Sequence, residues 1–90
     1  MNKSRYSDQI LDLVKKEFKI SEEDIFRKKR NNIFRKITIY LLKMHTRMKS
    51  EEIGKMFGIK GNSISSVVKS VRDMKNEDIS LNKLLQRLKP

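Results

Sequence analysis

The sequence predicts an all-α fold: five or six short helices around a central helix at about 32–46, with a helix-turn-helix at about 50–75. Three observations predict it. Apolar residues recur at helical spacing in every patterned segment, and no alternating strand pattern occurs. Residues that cap helices precede most of those segments. A glycine-marked corner at Gly58 joins two of them. Ninety residues make one domain, 1–90, with a single modest core.

The elements follow in chain order. Ser7 is placed to cap a first helix carrying Ile10, Leu13, Val14 and Phe18. Ser21 starts a short second helix, with Asp24 at the capping-box position and Ile20 and Ile25 as a hydrophobic staple. A basic connection, Arg27-Lys28-Lys29-Arg30-Asn31-Asn32, leads to the third helix. That helix is apolar over a wide arc, with Ile33, Phe34, Ile37, Tyr40, Leu41 and Met44 on one face and Ile39 and Leu42 beside it. Such an arc marks a central helix packed by several neighbours. Ser50 opens a fourth helix, Glu51 to Phe57, with two acids in its first turn where the helix dipole favours them. Gly58 takes the C′ position, where φ > 0 is often required. A fifth helix starts near Asn62 or Ser63 and buries Ile64, Val67, Val68, Val71 and Met74. Asn76-Glu77-Asp78 breaks it. Ser80 then caps a last helix with Leu81, Leu84, Leu85 and Leu88, stapled by Ile79 and Leu84.

Composition narrows the function. Without cysteine, no disulfide or thiolate site holds the fold, and His45 is the only histidine. No metal, cofactor or catalytic constellation is implied: there is no paired-carboxylate spacing and no imidazole pair, so the chain reads as a non-enzyme. No apolar run nears the roughly 20 residues of a membrane span. The opening residues lack the apolar run of a secretory signal, so a cytoplasmic, nucleoid-associated location is expected. Lys and Arg number 22 against 11 acids, a net charge of +11. From Ile25 to Ser50 only Asp-free, Glu-free sequence occurs, while Arg27, Lys28, Lys29, Arg30, Arg35, Lys36, Lys43, Arg47 and Lys49 all fall there. A one-sign block attracts polyanions, whereas an ordinary solvated surface mixes signs.

The glycine cluster in MFGIKGNSISSV (56–67) admits two readings. A phosphate loop needs G-x-x-x-x-G-K-[ST] after a strand. Gly58 and Gly61 are too close together, Asn62 stands where Lys should, and no strand precedes them. A helix-turn-helix fits instead: Gly54 is the small residue at the crossing, Gly58 the corner, and Ile53, Phe57, Ile59, Ile64 and Val67 the inward positions. The remaining face, Asn62, Ser63, Ser65, Ser66, Lys69, Ser70 and Arg72, is small and polar. It suits entry into a major groove about 12 Å wide.

From about Ile10 to Lys75 the chain resembles the C-terminal DNA-binding domain of the bacterial replication initiator DnaA. It equally resembles the related domain appended to REP-associated tyrosine transposases. The resemblance rests on ISEEDI (20–25), RKKRNN (27–32), RKITIYLL (35–42) and EEIGKMFG (51–58). The initiator turn reads G-G-R-D-H-T-T-V. Here the turn is one residue shorter and has neither the Asp nor the His, while its G-I-x-x-x-S-[IV]-S form is closer to the transposase-associated version. The resemblance implies a sequence-specific module for double-stranded DNA, the DNA-binding part of a transposase- or initiator-related protein. Lys60, Asn62, Ser65, Ser66 and Lys69 are expected at base edges or adjacent phosphates. Arg27, Lys28, Lys29, Arg30, Arg35, Lys49 and Ser50 are expected on the phosphate backbone. The alternative expectation is an RNA-binding or protein-interaction module that uses the basic block.

Overall fold

The computed structural model describes residues 3–28 and 32–88, with side chains from residue 7 onward. The described residues form six helices: α1 (Lys3–Phe18), α2 (Glu22–Phe26), α3 (Ile33–His45), α4 (Ser50–Phe57), α5 (Gly61–Glu77) and α6 (Ile79–Arg87). None of the described residues is in a strand. No helix among them is long and apolar enough to cross a membrane.

α3 is the hub, as its wide apolar arc requires. Residues 37–42 are all buried, and α1, α2, α4 and α5 pack around them. Ile10 and Val14 of α1, Ile25 of α2, Ile53 of α4 and Ile64 and Val71 of α5 meet this hub fully buried. Each such side chain contributes about 1.5–3 kcal/mol relative to an exposed one. The hydroxyl of buried Thr38 donates to the Phe34 carbonyl at 2.7 Å, so its one polar group is satisfied inside the helix. α6 packs on α5 and is joined to α1 by an Arg87–Glu17 ion pair.

Several helix ends follow their sequence signals. The Ser21 backbone N–H and hydroxyl both donate to Asp24 Oδ2 at 3.2 Å, the acid half of the expected box. Lys49 N–H donates to Glu52 Oε1 at 3.0 Å and does the same for α4. Gly58 is left-handed, with φ 71° and ψ 34°.

Other ends differ from expectation. Ser7 does not cap α1: the helix is already formed from Lys3, and Ser7 lies buried inside it. Lys3–Tyr6 contain no Gly or Pro to delay the start. α5 runs through Asn76 and Glu77, and the break comes at Asp78. Asp78, not Ser80, caps α6, its Oδ1 accepting from Leu81 N–H at 3.2 Å. That two-residue shift moves Ile79 out of staple register, and its side chain is 74% exposed. Met44 leaves the buried face of α3 as well, 47% exposed beside a shallow depression shared with Lys75 and Gln86.

Lys19 ends α1 with φ 54°, while Ile20 N–H donates back to the Lys15 carbonyl at 3.1 Å. A left-handed residue with a Cβ is strained, and glycine is not. Lys19→Gly is therefore expected to stabilise the fold by roughly 0.5–1 kcal/mol, read as a higher urea midpoint with an unchanged slope.

Candidate nucleic-acid interface

The corner between α4 and α5 is set by three backbone contacts. Gly58 N–H and Ile59 N–H both donate to the Gly54 carbonyl, the second at 2.8 Å. In return the Ile59 carbonyl presses on the Gly54 α-carbon: a Cβ there would stand 2.5 Å from that oxygen. Farther along, a Cβ on Gly61 would meet Glu51 Cγ at 3.2 Å and Glu51 N at 3.4 Å. The first turn of α4, at Glu51, thus abuts the first turn of α5, at Gly61.

α5 divides cleanly around its axis. Ile64, Val68 and Val71 are buried; Asn62, Ser65, Ser66, Lys69 and Arg72 are exposed, as is Lys60 just ahead. Positions 62, 65, 66 and 69 share one helical face by spacing. Ser63 and Ser70, expected on that face, lie half-buried at its margins. The Ser66 hydroxyl is 3.5 Å from the Asn62 carbonyl, at the long limit for a hydrogen bond.

The basic residues distribute unequally. The Lys28 ammonium reaches the corner, its Nζ 3.0 Å from where a Cβ on Gly58 would stand. Lys49 is exposed and Ser50 half-buried at the start of α4. Arg27 is exposed and 3.8 Å from Asp24 Oδ1, a surface pair worth little. Lys29 and Arg30 lie outside the described residues. Arg35 is committed elsewhere. Its Nη2 donates to the Phe57 carbonyl at 2.8 Å, its Nη1 approaches the Phe26 carbonyl at 3.5 Å, and its guanidinium lies 5.5 Å from the centre of the Phe57 ring.

Three roles here escaped the sequence reading. One is the inward reach of Arg35, expected on the phosphate backbone but donating to the Phe57 carbonyl. Asn32 supplies another: it is buried, its Nδ2 donates to the Asp24 and Arg27 carbonyls at 2.9 and 2.8 Å, and its Oδ1 accepts from Arg35 N–H at 3.3 Å. An Asn directly ahead of an apolar-periodic run is a cap signal that could have found it. The third is that of Glu51, read only as a dipole partner, which stands against the start of α5. Among the described residues no group of three or more His, Cys, Asp or Glu side chains is placed to hold a metal.

The assembled surface is a small polar helix face, one lysine at its corner, and another at the neighbouring helix start. Comparison with protein families finds a match over residues 7–74 to the family described as the bacterial dnaA protein helix-turn-helix. Comparison with curated proteins and with solved structures gave no match.

Proposed function

The chain belongs to the bacterial DnaA helix-turn-helix family, a family of domains that bind double-stranded DNA, and from that premise we propose that it is a non-catalytic, sequence-specific reader of duplex DNA. α5 enters the major groove and presents Lys60, Asn62, Ser65, Ser66 and Lys69 to base edges. Asn pairs with adenine through two hydrogen bonds, Lys favours guanine or phosphate, and Ser adapts to either partner. Arg27, Lys28 and Lys49 hold phosphates, with the start of α4 at Ser50 offering the positive end of its helix dipole to another. Lys29 and Arg30 extend the same basic run in sequence. The observation that carries this reading is the exposed 62–65–66–69 face lying beside the corner that Lys28 reaches. The short G-I-x-x-x-S-I-S turn supports a place in a transposase- or initiator-related protein.

Two measurements test it. Selection of bound duplexes from a random pool should return a defined site, and an RNA hairpin of equal length should fail to displace that site. Engaging about six phosphates gives a slope of log affinity against log salt of about −5. On the selected site Asn62→Ala is expected to lose about 1–3 kcal/mol, with little change on random DNA. Lys49→Ala is expected to weaken both alike and to make the salt slope shallower by about 1. Equal losses for the two variants on both DNAs would contradict the division of roles.

A further inference from the structure

Arg35 sits in the acid-free block with the cations assigned to phosphate, yet its donors point inward. Nη2 is 2.8 Å from the Phe57 carbonyl, the last residue of α4. Nη1 is 3.5 Å from the Phe26 carbonyl, the last residue of α2. The rings of Phe26 and Phe57 pack against each other with centroids 4.7 Å apart, and the guanidinium lies over the second of them. The Arg35 backbone N–H is meanwhile held by Asn32 Oδ1. A helix C-terminus carries partial negative charge and unpaired carbonyls, so a cation aimed there is already in an electrostatic minimum.

We propose that Arg35 is a positioning residue: its guanidinium brackets the end of α2 to the end of α4, and so sets Arg27 and Lys28, the first residues after α2, in register with α5. This rests on the DNA-binding reading for its consequence but not for its geometry. The basic connection leaves α2 directly after Phe26, and the corner begins directly after Phe57. A firm bond to one carbonyl at 2.8 Å and a long contact to the other at 3.5 Å constrain the distance between Arg27 and Lys28 and the groove-reading helix. Contacts on the two parts of a duplex then form together instead of each at the expense of ordering the other. A planar fork suits this site, since its two terminal nitrogens face different carbonyls while the guanidinium lies over the Phe57 ring, a geometry that a compact ammonium does not reproduce.

The test uses the full chain and three readouts. In Arg35→Lys, which keeps the charge, affinity for duplex DNA is expected to fall about tenfold. Without DNA present, amide hydrogen exchange at Gly58 and Ile59 should accelerate, because their acceptor lies on the helix end that has lost its anchor. In Arg35→Gln the salt slope should equal that of the parent. A residue that grips phosphate gives the opposite pattern: Lys substitutes without loss, Gln makes the slope shallower by about 1, and the amides keep their protection. Any of those three results overturns the bracket. Should Arg35→Gln fail to fold, Arg35→Lys decides through affinity and exchange. A parent chain that ignores DNA would sink the DNA-binding reading instead, and the exchange rates would still judge the bracket.

Discussion

Gly54→Ala is expected to lower the melting temperature by roughly 10 °C, corresponding to about 2 kcal/mol in a domain of this size. Helix propensity alone argues the other way, since alanine is favoured over glycine by about 1 kcal/mol inside a helix. Space decides against it. The added methyl would stand 2.5 Å from the Ile59 carbonyl oxygen, 3.3 Å from the Lys60 carbonyl carbon and 3.4 Å from Gly61 N. All three are backbone atoms, and none can rotate aside as a flexible side chain would. Relief requires α4 and α5 to part at their crossing, which also strains the Ile59 bond to the Gly54 carbonyl. Overpacking of this kind typically costs about 1–3 kcal/mol, and more where backbone must move. Gly61→Ala is the internal control: its nearest obstacle is the Glu51 side chain, at 3.2 Å, so it should lose less. Thermal unfolding followed by circular dichroism checks both. A Gly54→Ala protein that melts at or above the parent would refute the close approach.

Asn32→Ala is expected to cost about 2–4 kcal/mol, read as a lower urea midpoint. The helix cap for α3 accounts for about 1 kcal/mol of this. The rest comes from the Asp24 and Arg27 carbonyls, which lose donors at 2.9 and 2.8 Å around a residue only 4% exposed. Leaving such groups unpaired costs about 1–3 kcal/mol. Asn32→Asp separates the two contributions. It keeps an acceptor for Arg35 N–H but replaces the donor with an oxygen facing two carbonyls, so it should be at least as destabilising as alanine. Wild-type stability in the Asp variant would show that the cap matters and the loop bonds do not.

The helices were legible wherever their signal is local. The Ser21–Asp24 and Lys49–Glu52 bonds span three residues, and the left-handed Gly58 needs only its neighbours. The exposed face of α5 was legible because removing a 3.6-residue apolar period leaves it over. Where two caps compete, local reading loses. Asp78 and Ser80 both suit the start of α6 by residue type, and it is Asp78 whose Oδ1 accepts from Leu81 N–H. Ser7 misled for the same reason, since a serine inside a helix and one that opens it look alike. Arg35 was illegible in a stronger sense. Its carbonyl partner is 22 residues away, and within a run of cations nothing marks the one that turns inward.

The clean division of α5 has a consequence for how such a protein changes over generations. Ile64, Val68 and Val71 anchor the helix, while 62, 65, 66 and 69 are exposed. Replacements at solvent positions usually alter stability by no more than about 0.5 kcal/mol. Under the proposed base reading, the address carried by those four positions is open to rewriting without disturbing the scaffold that displays it. On that reading, copies of this domain are free to diverge in target while remaining one fold.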